Sequence, residues 1–224
     1  MTVDEKRYSC AHVVPIEQEP RHHLVIENEF VRAFVVEIAP HDRTLCHHHP
    51  YDYLLYVAGD GDIVSAARDE EPKKLNYRDG ECELLQAGMV HVVENLSDTA
   101  FRNVVVELLP GTGSLPRGDD PKLITGEATI VQRFADETAA IFEVDMESEA
   151  EVAVFGPAVV ASPYGQEVEV AAGENSSKLT YFNELGWLGW NSKAILRNRQ
   201  KAKARVMISV VGRDLGTKEP KTQP

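Results

Sequence analysis

Gly80-Glu81-Cys82-Glu83-Leu84-Leu85-Gln86-Ala87-Gly88-Met89-Val90-His91, taken with the earlier Thr44-Leu45-Cys46-His47-His48-His49-Pro50, decides how this chain is read. In an extended strand, residues two apart point to the same face. His47 and His49 therefore aim at one point, and a barrel wall can bring His91, on the later strand-like run, to that point. Three neutral imidazoles around an open position make a transition-metal site. His47, His49 and His91 are the candidate metal ligands, and the sequence assigns no catalytic residue.

Working outward, β signals dominate. Phe30 to Ile38, Tyr53 to Val57 and Val104 to Leu109 are rich in β-branched and aromatic residues, and the last two runs end in Gly59-Asp60-Gly61 and Pro110-Gly111. Short strands punctuated by Gly, Asp and Pro predict a sandwich or barrel. No long stretch has a 3.6-residue apolar period. The Gly- and Pro-rich segment 111–121 reads as a linker. It separates a first module, residues 1–110, from a second β module, 122–215, with a polar tail at 216–224 expected to be disordered.

The two modules look like a diverged repeat. Asn95 and Arg102 before one valine-rich strand recur as Asn198 and Arg205 before the other, a shift of 103 residues. Under that shift His91 falls on Ala194. All eight histidines lie at or before His91, so an imidazole-bound metal belongs to the first module alone. Trp187 and Trp190 of the second module are expected to pack a core or an interface.

The chain of 224 residues has a formal charge of −13 and 43% hydrophobic residues. That charge disfavours nucleic acid and anionic membrane surfaces, which both need surplus Lys and Arg. A small-molecule substrate or ligand is the expected partner. Three cysteines, Cys10, Cys46 and Cys82, give no disulfide framework, and reduced thiols in a cytoplasmic protein are expected. The charged N-terminal residues lack an apolar stretch, so no secretory signal is expected. No run reaches the length of a membrane-spanning helix.

The histidine segments resemble the two motifs of the cupin superfamily. The first motif runs Gly, five residues, His-x-His, then Glu and a later Gly; here His41 stands in place of the Gly before His47-His48-His49, and Gly59 ends it. The second runs Gly, five residues, Pro-x-Gly, two residues, His, three residues, Asn; here Gly80, Gln86-Ala87-Gly88, His91 and Asn95 fit with one change, Pro to Gln86. The resemblance covers about residues 24 to 109. It implies an all-β fold, a cupin-type double-stranded β-helix (jelly-roll) barrel, with two barrels in tandem as in a bicupin whose C-terminal module is degenerate. It also implies a homodimer and one divalent transition metal, Fe, Mn, Ni or Zn. The activities implied are dioxygenase-, isomerase- or decarboxylase-like, with a non-catalytic ligand-binding cupin as the alternative.

The motif departs from the family at the fourth ligand. Tyr53 stands where Glu is common, and Asp52 is adjacent. In a regular strand Tyr53 shares the inward face with His47 and His49, and a bulge would exchange it for Asp52. His12, His22, His23, His41 and His48 are read as surface residues, Cys46 and Cys82 as inert packing, and Asp98 as a turn former. Arg102 is read as a strand-edge arginine, Tyr51 and Tyr53 as pocket or rim residues, and Tyr56 as core or rim.

Overall fold

The runs of β-branched and aromatic residues become strands, because such side chains pack well on a pleated, half-buried surface. The computed structural model of the chain describes residues 8, 10–110, 121–154, 156–173, 175–180 and 182–212. The linker segment, Pro121 apart, and the tail fall outside the described residues. Among those described there are eighteen strands, one 3₁₀ turn at Ile16–Gln18 and no α-helix.

The first half holds β1 (Val14–Pro15), β2 (His22–Glu27), β3 (Val31–Ile38), β4 (His47–His49), β5 (Tyr53–Ala58), β6 (Gly61–Ala67), β7 (Lys73–Tyr77), β8 (Cys82–Leu85), β9 (Met89–Asn95) and β10 (Phe101–Leu108). They form two five-stranded sheets, ordered β1-β4-β9-β6-β7 and β2-β3-β10-β5-β8. Phe34, Val36 and Ile38 of one sheet meet Ile63 and Val93 of the other in a shared core. This is a jelly-roll barrel.

The second half holds β11 (Lys122–Ala135), β12 (Ala139–Val154), β13 (Ala158–Ala161), β14 (Val168–Ala172), β15 (Asn175–Leu179), β16 (Leu185–Leu188), β17 (Ser192–Asn198) and β18 (Ala204–Val211), joined in one eight-stranded sheet. Its pairings repeat those of the first half. β18 lies between β12 and β13 as β10 lies between β3 and β5, and β17 lies between β12 and β14 as β9 lies between β4 and β6. One sheet replaces two because β12 runs unbroken where the first half is divided into β3 and β4, and β11 pairs along its length.

The repeat extends to side chains. Asn95 Nδ2 donates to the Ala39 and Thr99 carbonyls and its Oδ1 accepts from Ser97 N–H; Asn198 Nδ2 donates to the Glu147 and Ala202 carbonyls and its Oδ1 accepts from Gln200 N–H. Arg102 faces Glu37 across β10 and β3, with 2.6 Å between Nε and Oε2, and Arg205 faces Asp145 across β18 and β12, with 3.1 Å to Oδ1. Asn and Arg recur because each holds the same turn and the same cross-strand pair.

The two halves share a core. Val31, Ala33, Leu54, Tyr56, Val104 and Val106 pack with Ile141, Val159, Ala161 and Met207. Trp187 stacks on Phe30 at 5.9 Å between ring centroids, which gives it the interface role expected from sequence. Tyr56 is core, and its hydroxyl donates to Glu143 at 3.0 Å. The buried Glu143 carboxylate also accepts from Arg133 at 2.8 and 3.1 Å and lies 3.0 Å from Arg205 Nε. Glu143→Ala leaves the Arg133 guanidinium without its acceptor and removes one of the carboxylates around Arg205, which keeps Asp145 and Asp79. Because both arginines are partly solvated, the expected loss is about 2 kcal/mol, read as a drop in Tm of about 4–8 °C by calorimetry; an unchanged Tm would count against this clamp.

The cysteines depart from expectation. Cys10 and Cys46 form a disulfide that ties the segment before β1 to the start of β4, so Cys46 is bonded rather than a free buried thiol. The sparse count argued against a framework, but a single bond needs only two cysteines that the fold brings together, here across the parallel β1–β4 pairing. The expectation of a cytoplasmic location loses the reduced thiols on which it stood. Among the described residues no helix is long and apolar enough to cross a membrane. Cys82 is free, and burial, with Glu143 and Glu81 adding to it against Arg133, pushes its thiol up to about 12. Its raised pKa keeps it protonated at pH 8, where an ordinary thiol is partly ionised. A thiol reagent at pH 8 is therefore expected to find no fast-reacting group in native protein, one per chain in denaturant, and three after reduction; three without reductant would exclude the disulfide.

Candidate metal centre

β4 is the shortest inward-facing strand of the first barrel, and its alternation sets the site. His47 and His49 are buried at 0% and 1% exposure, while His48 between them faces out and is half-buried. The turn before β4 needs a left-handed residue, which is why the related motif has Gly there; His41 takes this role at φ 58°, a conformation His tolerates better than most residues. The register of β4 on β9 sets His47 opposite His91. The His91 ring lies 4.6 Å from that of His47 and 5.3 Å from that of His49, centroid to centroid. His47 Nε2 and His49 Nε2 are 3.1 Å apart. The three predicted histidines thus gather at one end of the barrel interior.

A fourth imidazole joins them, and it corrects the reading of His22 as a surface residue. His22 is buried, its ring 4.6 Å from His47 and 5.9 Å from His49. The ring nitrogens of His22, His47 and His49 all lie within 4.8 Å of one another, a tighter mutual grouping than any that includes His91 among the described residues. His12 and His23 are exposed as expected. The reason for the difference is register. β2 pairs with β3 so that His22 sits opposite Val36, a residue of the barrel interior, and His23 takes the other face. The one sequence signal was Glu19, three residues earlier.

Glu19 is buried at 1% exposure. Burial opposes its charge, yet hydrogen bonds from His22, Leu45 and Arg21 hold its pKa down to about 2. His22 Nδ1 lies 2.8 Å from Oε2, so its Nδ1–H donates to the carboxylate and Nε2 is the ring nitrogen turned away from it. Leu45 N–H donates to Oε1 at 3.1 Å, and the Leu45 carbonyl accepts from His47 Nδ1 at 2.9 Å. His47 is thereby also fixed with Nε2 as its free lone pair. Ser65 Oγ sits 3.3 Å from His91 Nδ1, on the side of the ring away from its buried Nε2, which has no partner.

Behind His49, Nδ1 lies 3.7 Å from Glu107 Oε1, and both atoms are buried without a hydrogen bond. Burial raises the Glu107 pKa, and Arg32, which donates to its other oxygen at 2.5 and 2.8 Å, lowers it. Burial also pushes the His47 pKa down to about 4, with the neighbouring His22 adding to it, and takes His49 and His91 well below their ordinary range. All three are neutral at pH 7, as metal ligation requires. A buried His91 Nε2 without a partner, beside the Nε2 atoms of His47 and His49 held 3.1 Å apart, fits a cation better than it fits an apolar core.

Neither candidate for the fourth ligand takes that place. Asp52 Oδ1 accepts from Ala87 N–H at 2.7 Å and so holds the turn of the second motif, where Gly88, at φ 87°, donates to the His49 carbonyl at 2.8 Å. Tyr53 lies face to face on His49, with centroids 4.1 Å apart and planes 17° from parallel. Arg102 is exposed on its strand, and Tyr51 lies beneath Arg32.

The histidines open onto a cavity of ≈ 320 Å³, walled mainly by aliphatic and aromatic side chains. The second barrel has none of this. Cross-strand register equates His47 with Val152, His49 with Val154, His91 with Ala194, His22 with Ile130 and Glu107 with Val210. Val152, Val154, Ala194 and Val210 are fully buried in one apolar cluster, with Ile130 packed against it.

No protein-family model matches the chain, and no curated protein matches it. Solved structures do. AerE from Microcystis aeruginosa matches at TM-score 0.58 and 14% identity, over 86% of this chain and 98% of that one. The vicilin from Solanum melongena, whose similar pockets hold different anionic ligands, matches at 0.60 and 13%, over 83% and 76%. Salicylate 1,2-dioxygenase from Pseudaminobacter salicylatoxidans matches at 0.56 and 10%, over 85% and 76%. At these identities the likeness is one of fold. The molecule is a two-barrel β protein with one hollow barrel and one filled barrel. Its fold is similar to those of AerE, the vicilin and the dioxygenase.

Glu19→Gln keeps the size of the side chain but replaces an acceptor oxygen with an amide donor. It is expected to weaken divalent-metal binding about 10–100-fold, measured by competition with a chromogenic chelator. Unchanged affinity would show that Glu19 does not orient the site.

Proposed function

We propose that the first barrel is a metal-dependent small-molecule enzyme, its ion held by His47, His49 and His91 with His22 as a fourth imidazole. The observation that carries this reading is the convergence of four buried imidazoles, with His22, His49 and His91 lining a cavity and the buried Nε2 of His91 left without a partner. The ion is a divalent transition metal, Fe, Mn, Ni or Zn, since imidazole suits all four. Such an ion supplies Lewis-acid polarisation of a substrate oxygen, or dioxygen chemistry where it is redox-active. The chain's own part is to hold and shield. Glu19 and the Leu45 carbonyl fix two rings with Nε2 free, Tyr53 braces His49, and the apolar walls exclude water. Fold likeness to a dioxygenase supports an oxidative reaction; isomerase- or decarboxylase-type chemistry is the counterpart for a redox-inactive ion.

One observation favours a non-catalytic, ligand-binding cupin instead. Glu19 and Glu107, the carboxylates behind His22 and His49, face ring nitrogens or arginines rather than the cavity, so neither serves as a general base. Substrate turnover against mere retention separates the two readings. The metal itself is tested first. Protein purified without chelator or nickel resin is expected to carry close to one metal per chain by elemental analysis, and His91→Ala and His47→Ala to carry about a tenth of that or less. Equal metal content in wild type and variants would sink the proposed centre.

A further inference from the structure

The cavity wall carries a polarity that the proposed metal does not explain. Asn103, in the middle of β10, is 5% exposed and lines the cavity, yet its side-chain amide makes no hydrogen bond among the described residues. It pairs across to Val36, which in turn pairs with His22, so it sits two strands from His22 on the same inward face. The fold does not require an amide there, because the same register position in the second barrel is Val206, buried in the apolar cluster. Set among Val36, Leu55, Ile63 and Val105, this amide is a polar group that the wall offers to whatever fills the cavity, water or a ligand atom.

The charges on the wall restrict what that ligand is. Histidines aside, the cationic side chain of the lining is Lys73, and its Nζ is held 2.6 Å from Glu70. Glu70, Glu71 and Glu83 line the same cavity. Arg32, a half-buried guanidinium, is committed to Glu107 and Glu17 outside the lining. A carboxylate entering this space leaves water without meeting an unpaired cation on the protein.

We propose that the cavity takes a small, uncharged, largely apolar molecule bearing a carbonyl or hydroxyl oxygen, and that the Asn103 amide binds that oxygen. The inference rests on reading the cavity as the ligand site, and not on the metal. Benzamide and benzoate make a matched pair of probes, alike in shape and different in charge. Both are titrated into the full chain by ligand-observed NMR, as purified and after chelator dialysis. Benzamide is expected to bind at least about tenfold more tightly than benzoate after chelator dialysis, where no metal ion offers the carboxylate a partner. Asn103→Leu, which places the aliphatic side chain of the second barrel's type at this position, is expected to weaken benzamide at least about tenfold and to leave toluene binding within about twofold. In the chelated preparation, benzoate binding as tightly as benzamide, no binding of either, or benzamide unaffected by Asn103→Leu would each overturn the proposal. Because the chelated preparation is included, such a failure leaves the metal reading to stand or fall on its own elemental analysis.

Discussion

A carboxylate buried as deeply as Glu19 stays ionised only where hydrogen bonds replace the water it has lost. That constraint organises the whole site. Satisfying Glu19 takes the Arg21 guanidinium and backbone N–H, the Leu45 N–H and the His22 ring, and those groups come from two separate stretches of chain. In meeting the carboxylate they lock the start of β2 against the approach to β4, the two segments that supply three of the four imidazoles. The disulfide between Cys10 and Cys46 acts on the same approach from the other side. The rings are therefore held from behind, by contacts that would persist whatever occupies the space between them.

The second barrel shows what the same fold does without that constraint. It keeps the strand pairings, the Asn-centred turn and the Arg–carboxylate pair, and replaces the four imidazoles and Glu107 with Val, Ala or Ile. It also loses the turn between β3 and β4, so β12 continues straight through. Fold and site are separable here. Turn and ladder contacts specify the barrel twice, and a short list of inward positions decides whether its interior is packed or hollow.

Much of this was legible in the chain. His47, His49 and His91 lie on regular strands, where period-two alternation and fixed motif spacing carry over directly into geometry. The Asn and Arg repeat was legible because each residue makes local bonds that a spacing can encode. His22 was not, since its inward direction depends on the β2–β3 register, and two adjacent histidines give no alternation to choose between faces. The Cys10–Cys46 bond was missed for a related reason: parallel pairing of β1 with β4 joins residues 36 apart, which no short-range pattern announces. The role of Asp52 was left open by the sequence because its carboxylate bonds to the backbone of a turn 35 residues away.

The valine-rich runs explain why a hollow barrel is sustainable. Val104-Val105-Val106 and Tyr53 to Ala58 are buried along their length rather than in alternation. That pattern marks a sheet covered on both faces. One face of β3, β5 and β10 looks into the cavity and its core; the other packs on Ile141, Val159 and Met207 of the second barrel. A barrel that leaves space inside forgoes dispersion contacts that packed interiors gain. Here the outer face of the same sheet recovers apolar burial against a neighbour whose own interior is filled. The second barrel is then a stabilising partner to the polar one, which gives its fold a role although the four imidazoles and Glu107 have no counterpart in it.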